Sequence, residues 1–224
     1  MLYRVVRLLL SVLRHTVYRP VVQGRDNVAT SGPVILASNH VSFIDSIVIP
    51  LVAPRDVAFL AKAEYFTGPG ISVVFTRAFF TALNAIPVKR GDTAAAHRSL
   101  ETALEVLRAG GAFGIYPEGT RSRDGRLYRG RAGVAWLAMA SGAPVVPVGV
   151  IGTERLLPVG AWVPRLARVT VRFGEPLHAD DLPPGLSPAA ARREFTDRVM
   201  AAIAALSEQE VAGDYAPGSE AAAA

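Results

Sequence analysis

Cysteine is absent from the 224-residue chain, and only two of its 24 basic residues are lysines, Lys62 and Lys89. Without thiols the protein has no disulfide framework, no thiolate metal site and no cysteine nucleophile. Long apolar runs are also missing. No stretch reaches the ~20 apolar residues that a membrane-spanning helix requires, although the mean hydropathy is +0.29.

The charge balance is the first positive signal. The formal net charge is +5 and the isoelectric point is about 10.0, which suits an anionic partner such as nucleic acid, a lipid surface or a phosphorylated substrate. Basic strands with interleaved aromatic residues, as in RNA-binding sheets, are not found. The length fits one domain with a sizeable core.

The first 20 residues, MLYRVVRLLLSVLRHTVYRP, place arginines on one side of a helical wheel and bulky aliphatic residues on the other. This pattern predicts an amphipathic helix over residues 1–20 that lies in a membrane interface. A helix packed on its own domain is the alternative. A signal peptide is disfavoured because charges interrupt the apolar run and no small-residue cleavage site follows.

Short apolar runs alternate with helical patterns along the rest of the chain. This alternation predicts a single α/β domain over residues 21–208, with a mostly parallel central sheet flanked by helices. Residues 209–224 are predicted to be a disordered tail. Parallel sheets bind ligands at the carboxyl ends of their strands. Four side chains directly follow predicted strands and should share that edge: His40, Lys62, Arg90 and Glu118.

The stretch SNHVSFIDS separates His40 from Asp45 by five positions. In a continuous helix or strand these side chains would point apart, so they can meet only if the chain turns between them. Imidazole groups can take a proton from an alcohol near neutral pH, and a carboxylate on the other ring nitrogen would fix the tautomer. A structural histidine is the alternative, and Ser42 as a nucleophile stays possible. No G-x-S-x-G motif supports an α/β-hydrolase.

The second polar stretch is YPEGTRSRDGR, at the end of a predicted strand. Its arginines could grip a phosphate through planar forks of donors, whereas the alternative is a solvated loop.

Five blocks in order resemble the glycerolipid acyltransferases, a family that includes 1-acyl-sn-glycerol-3-phosphate acyltransferase. NHVSFID is similar to the family's N-H-x-x-x-x-D box and YPEGTRS to its E-G-T-R box. The blocks AKAEYF, IPVKRGD and APVVPV resemble its intervening and closing blocks, and the similarity covers roughly residues 20–175.

This resemblance implies roles for individual residues. His40 would be the general base on an acceptor hydroxyl, oriented by Asp45. The substrate-binding residues would be Lys62, Arg90, Glu118, Gly119, Thr120 and Arg121.

The resemblance also implies a reaction. A fatty acyl group would move from acyl-CoA or acyl carrier protein to the sn-2 hydroxyl of lysophosphatidate, giving phosphatidate without a metal or other cofactor. The protein would sit peripherally on the cytoplasmic face of the cell membrane, with membrane lipids as partners and no nucleic acid. Two rivals are the same transfer to another lyso-lipid or glycolipid, and a basic membrane-binding protein without catalysis.

Overall fold

The computed structural model describes residue 12 and residues 18–67, 71–88, 93–161 and 163–217. Within them one sheet contains seven strands: β1 (Val21–Gln23), β2 (Val34–Ser38), β3 (Val57–Lys62), β4 (Ala85–Val88), β5 (Ala112–Ile115), β6 (Val145–Ile151) and β7 (Thr170–Phe173). The helices between them are α1 (Asp45–Val52), α2 (Ile71–Ala82), α3 (Thr93–Arg108), α4 (Gly133–Ser141), α5 (Thr153–Leu156) and α6 (Pro188–Ser207).

The strands lie in the order β1-β7-β6-β2-β5-β3-β4. Every neighbouring pair is parallel except β6 and β7, which run in opposite directions. The prediction of a single α/β domain with a mostly parallel sheet is therefore confirmed. Sequence patterns missed the short elements β1 and α5, because three or four residues carry too little periodicity to identify.

Two hydrophobic layers enclose the sheet. On one face, side chains of α3, α4 and α6 pack against alternate strand residues such as Ile35 and Phe113. On the other face, α1 and α5 cover the residues between them, such as Leu36 and Val146. The central strands are buried on both faces, which is why their sequences are continuously apolar rather than alternating.

The fold places a crevice between β2 and β5, which are hydrogen-bonded neighbours at the centre of the sheet. The chain leaving β2 enters α1 on one face, whereas the chain leaving β5 leads to α4 on the other. Adjacent strands whose connections depart to opposite faces leave an opening at their carboxyl ends, the usual ligand site of such sheets.

The N-terminal prediction lies almost entirely outside the described residues, since residues 1–11 and 13–17 are not among them. No helix in the part of the chain that the structure describes is both long and apolar enough to span a bilayer.

The predicted disordered tail begins too early. Val211 pairs with Leu127, the Arg129 N–H donates to the Asp214 carbonyl at 2.7 Å, and Ala216 is buried. Residues 209–217 therefore form a strap over the core, and residues 218–224 lie outside the described chain. The sequence of the strap has no helix or strand pattern, because the strap is held by hydrogen bonds to residues more than 80 positions away, such as Leu127 and Arg129.

Gly149 allows α6 to lie directly on β6. A Cβ at this position would come within 2.5 Å of the Leu206 backbone, and backbone atoms cannot move aside as a flexible side chain can. We expect Gly149→Ala to lower the free energy of unfolding by about 1–3 kcal/mol, the usual cost of overpacking, measured by urea denaturation.

Gly133→Ala is the matched control. Its new Cβ would meet only the end of the Leu100 side chain, at 3.3 Å, and alanine has the higher helix propensity in α4. This variant should be as stable as the parent protein or slightly more so. Equal losses of unfolding free energy in both variants would show that the close contact between Gly149 and Leu206 is not the reason that alanine destabilises this position.

Candidate active site

His40 and Asp45 meet because the chain turns between them. Residues 41–44 form the turn, and Asp45 then opens α1. One carboxylate oxygen, Asp45 Oδ2, lies 2.8 Å from His40 Nδ1 and accepts the backbone N–H groups of Val41 at 2.9 Å and Ser42 at 2.8 Å. The carboxylate thus holds the turn closed and contacts the imidazole, and the chain turns between the two residues as their contact requires.

This pairing decides which ring nitrogen is available for chemistry. An ionised carboxylate can only accept hydrogen bonds, so Nδ1 of His40 carries the proton and the neutral ring keeps its lone pair on Nε2. Asp45 is fully buried, whereas the His40 side chain is 15% exposed. The position of Asp45 in the first turn of α1 also suits a negative charge, because the positive end of the helix dipole lies there.

Tyr116 supports the other side of the histidine. The two rings stack with centroids 3.8 Å apart and planes inclined by 10°. The Tyr116 hydroxyl shares a 2.8 Å hydrogen bond with the Ser46 hydroxyl in α1. The imidazole is therefore held by a carboxylate at its edge and an aromatic ring against its face. Sequence reasoning missed Tyr116, although it stands at the start of the YPEGTRS block.

Glu118 joins the two loops that flank the crevice. Its side chain is 1% exposed, and its oxygens accept the backbone N–H of His40 at 3.2 Å and that of Tyr128 at 2.9 Å. The Ser122 N–H also donates to the His40 carbonyl at 2.8 Å. Burial raises the pKa of Glu118 to about 7, against the opposing effect of the two backbone donors. Glu118 thus faces the loops rather than the open cleft.

The cleft itself contains the other residues of the second box. It has a volume of about 270 Å³, and its walls bring His40 together with Gly119, Thr120 and Arg121. The Arg121 side chain is exposed. The cleft extends from the crevice toward β3, because the pairing of β3 with β5 ends at Phe59 and Gly114. Arg121 makes one end of the cleft polar and cationic, while strand residues such as Phe59 and Phe113 form an apolar wall.

The remaining predicted cations are less well defined. Lys62 ends β3 at the same edge of the sheet, but its side chain is not among the described groups, and Arg90 lies outside the described residues. No cluster of three or more metal-ligating side chains occurs in the described ranges.

Asn39 is a further residue that sequence reasoning did not assign. Its amide exchanges hydrogen bonds with the backbone of Val150, at 2.9 and 2.8 Å, and donates to the Gln209 side chain at 2.7 Å. Gln209 in turn donates to the Gly125 carbonyl at 2.7 Å. The strap thus touches both the residue before His40 and the loop after Glu118, a contact across 170 positions that no local pattern could reveal.

Asp124 fixes the second half of that loop. Hydrogen bonds from the Tyr128 hydroxyl at 2.8 Å and from Arg126 Nε at 2.8 Å hold the pKa of the Asp124 carboxyl well below its usual range. The loop after Glu118 is thus tied at both ends.

A second, separate pocket lies beside α1. Its volume is about 350 Å³ and its walls are almost wholly apolar, with residues of α1, α2 and the segment before β1. Ile44, the residue before Asp45, is one of its walls. The His40–Asp45 turn therefore lies between a polar cleft and an apolar pocket.

Comparison with known proteins agrees with this geometry. The acyltransferase family profile matches residues 19–151, which include His40, Asp45, Glu118 and Arg121. The chain belongs to the acyltransferase family. The family resemblance inferred from the sequence blocks is thereby confirmed.

Several proteins that are similar to this chain are named 1-acyl-sn-glycerol-3-phosphate acyltransferase. The chain is 30% identical over 158 residues to the chloroplastic 1-acyl-sn-glycerol-3-phosphate acyltransferase BAT2 of Brassica napus, covering 70% of this chain and 44% of that protein. It is 28% identical to the Bacillus subtilis 1-acyl-sn-glycerol-3-phosphate acyltransferase over 162 residues, which cover 71% of this chain and 74% of that protein. The chain spans about half the length of the plant relatives it matches.

A solved structure has a similar fold. The 1-acyl-sn-glycerophosphate acyltransferase PlsC from Thermotoga maritima superimposes with a TM-score of 0.60 and 29% sequence identity, covering 81% of this chain and 68% of that chain.

The pKa of Glu118 predicts how stability depends on pH. The ordinary value is 4.5 and the folded value is about 7, so the folded acyltransferase binds more protons than the unfolded chain between these values. The contribution of Glu118 to the free energy of unfolding is fully present below pH 4.5 and is lost as the pH rises through 7. The loss is at most about 3 kcal/mol.

Glu118→Gln tests this assignment by chemical denaturation across the same pH range. The variant has no titrating group at this position, so its stability should fall less steeply with pH than that of the parent protein. It should also be less stable by about 1–3 kcal/mol at low pH, because the amide nitrogen cannot accept one of the two backbone N–H groups. Parallel pH curves would show that Glu118 does not titrate in this range.

Proposed function

We propose that the protein transfers a fatty acyl group from an acyl thioester to the sn-2 hydroxyl of 1-acyl-sn-glycerol-3-phosphate, giving phosphatidate. The observation that carries this proposal is the 2.8 Å contact between His40 Nδ1 and Asp45 Oδ2, at a cleft that also contains Arg121. The names of the relatives support the same substrate.

In the proposed mechanism, His40 Nε2 removes the proton of the acceptor hydroxyl as its oxygen attacks the thioester carbonyl carbon. Asp45 stabilises the imidazolium that forms. The tetrahedral intermediate collapses, the carbon–sulfur bond breaks, and the thiolate leaves with the electron pair. The imidazolium proton then neutralises the thiolate, so the products are the new ester and a free thiol. A thioester is already activated toward attack, and the reaction balances without a metal.

The phosphate of the acceptor is proposed to bind at the cationic end of the cleft. Arg121 is exposed there and can present two parallel N–H donors to one phosphate. Lys62 ends β3 and Arg90 comes two residues after β4 in the sequence, and they would add positive charge from the same edge. Glu118 is assigned a positioning role instead, because both of its oxygens already accept backbone N–H groups.

The hydrocarbon part of a substrate requires an apolar surface. The pocket beside α1 is suited to an acyl chain, since its walls offer almost no polar atoms and Ile44 connects it to the catalytic turn. The donor is assigned as acyl-CoA or acyl carrier protein, and the enzyme is assigned to the cytoplasmic face of the cell membrane. Another lyso-lipid or glycolipid acceptor is the second candidate, because His40 and Asp45 act on any hydroxyl.

An assay of thiol release tests the reaction. The chain has no cysteine, so a thiol-reactive dye reports free coenzyme A or carrier protein without background from the enzyme. Palmitoyl-CoA and palmitoyl-acyl carrier protein would each be offered with lysophosphatidate, lysophosphatidylcholine and a lyso-glycolipid. Release that depends on lysophosphatidate supports the proposal. Release with another acceptor alone would favour the second candidate, and no release with any pair would overturn catalysis.

Substitutions at the catalytic pair should separate their roles. We expect His40→Ala to lower kcat by about 10³-fold or more, and Asp45→Asn to lower it by about 10²- to 10⁴-fold because the amide can favour the wrong tautomer. His97 is exposed on α3, and His97→Ala should keep full activity. Full activity in folded His40→Ala protein would contradict the mechanism.

Substitutions at Arg121 should affect the acceptor rather than the donor. Arg121→Ala should raise the apparent KM for lysophosphatidate by about ten- to a hundred-fold, the cost of one charged hydrogen-bonding partner. Arg121→Lys keeps the charge but loses the fork of donors, so its effect should be smaller. The KM for the donor should change little in either variant.

Arg108→Ala is the control for this series. Arg108 is also exposed, but it ends α3 at the amino edge of the sheet, away from the cleft. Steady-state kinetics with varied lysophosphatidate at fixed donor should leave this variant unchanged. Unchanged acceptor kinetics in Arg121→Ala would remove its proposed contact with phosphate.

A further inference from the structure

The first part of the connection between α5 and β7, residues 157–166 apart from residue 162, which is not among the described residues, exposes an unusual amount of apolar surface. Val159, Val163 and Leu166 are 72%, 75% and 79% exposed, the three highest values among the large hydrophobic side chains that the structure describes. Single exposed hydrophobic residues are normal on protein surfaces. Three of them within eight positions form a cluster, which marks an interaction site.

This apolar loop has a defined shape. The Arg165 N–H donates to the Leu156 carbonyl at 2.7 Å, and the Ala161 N–H donates to the Pro158 carbonyl at 3.0 Å. The Ser42 hydroxyl donates to the Leu157 carbonyl at 2.9 Å, which ties the loop to the His40–Asp45 turn. These hydrogen bonds connect the loop to the end of α5 and to the His40–Asp45 turn, while its apolar side chains remain exposed.

Positive charge surrounds the apolar side chains. Arg155, Arg165 and Arg168 are all exposed, and Glu154 is the one acidic residue between positions 154 and 168. Glu154 pairs with Arg155 at 3.3 Å, and both side chains are exposed, by 47% and 69%. Apolar side chains flanked by arginines suit the boundary between acyl chains and anionic headgroups, where each group finds its preferred surroundings.

The apolar surface continues from this loop onto α2. Pro164 lines the apolar pocket together with Phe79 of α2. Phe75 lies one turn before Phe79 on the same helical face and is 56% exposed, and the neighbouring Val74 is 59% exposed. Tyr18, at the end of the predicted amphipathic helix, lines the same pocket. Three segments therefore present apolar residues around one pocket, a broad surface that suits a bilayer better than a single peptide.

We propose that the 157–166 loop inserts Val159, Val163 and Leu166 into the interface of an anionic bilayer, with α2 beside it, while the arginines bind headgroup phosphates. This docking would hold the catalytic turn close to the membrane through the Ser42–Leu157 hydrogen bond. The proposal rests on the proposed function only in the expectation of a lipid substrate, and vesicle binding tests it without catalysis.

Single-cysteine labelling provides a direct test in the full chain. Because the native sequence has no cysteine, Val163→Cys can be labelled at one site with an environment-sensitive fluorophore. Vesicles of phosphatidylcholine and phosphatidylglycerol in equal parts should shift its emission to the blue, and the shift should weaken in high salt. Val211→Cys is the matched control, because Val211 is 60% exposed but lies in the strap beside Leu127.

A charge variant measures the contribution of the loop to binding. The double substitution Val163→Asp and Leu166→Asp should lower the vesicle partition coefficient about ten-fold or more, since carboxylates would replace two apolar side chains that are proposed to enter the bilayer. Val211→Asp should leave partitioning unchanged. Thiol release with a dispersed short-chain lysophosphatidate should be retained in the double variant, whereas release with vesicle-embedded substrate should fall.

Several outcomes would overturn docking by this loop. One is the absence of a blue shift at position 163, and another is an equal shift at positions 163 and 211. Unchanged partitioning in the double aspartate variant would likewise assign membrane binding to other segments. If the enzyme showed no acyl transfer at all but kept the blue shift at position 163, the proposed function would fail while the docking surface stood.

Discussion

The Asp45 carboxylate is the interaction on which the site depends. One of its oxygens accepts three hydrogen bonds, from the His40 ring and from two successive backbone N–H groups. The same contacts close the turn, begin α1 and set the tautomer of the imidazole. A buried carboxylate requires such compensation, because an unpaired buried charge is costly. The three hydrogen bonds to Oδ2 supply this compensation, whereas Oδ1 is buried without a hydrogen-bond partner.

Glu118 applies the same principle across the crevice. The loops after β2 and β5 leave the sheet toward opposite faces, so nothing in the sheet itself holds them together. Glu118 bridges them through two backbone N–H groups, and the Ser122–His40 hydrogen bond adds a second tie. Burial and the nearby Asp45 charge both raise the pKa of Glu118. The cost of burying the Glu118 carboxyl group is thus accompanied by two hydrogen bonds that hold the loops together.

The two sides of the His40–Asp45 turn differ in polarity. Toward Arg121 the cleft is cationic and partly open, whereas toward Ile44 the pocket is apolar. A lysophospholipid has the same division between a phosphate and a hydrocarbon chain. The exposed apolar side chains around the second pocket continue this polarity to the surface, which relates the proposed membrane docking to the proposed chemistry.

Much of the fold followed from the sequence alone. The apolar runs of the buried strands, the helical periodicity between them and the Ser187 cap of α6, which accepts the Ala190 N–H, are local features, and local features determined the α/β class. The spacing of His40 and Asp45 showed that they could meet only through a turn, and it left open whether the turn forms. Tertiary structure decided what no local pattern encodes: the stacking of Tyr116 on His40, the inward direction of Glu118 and the strap that links Gln209 to Asn39. The contacts of Tyr116 and Glu118 with His40, and of Gln209 with Asn39, join residues more than 70 positions apart, and a pattern in a short window of sequence cannot show such contacts.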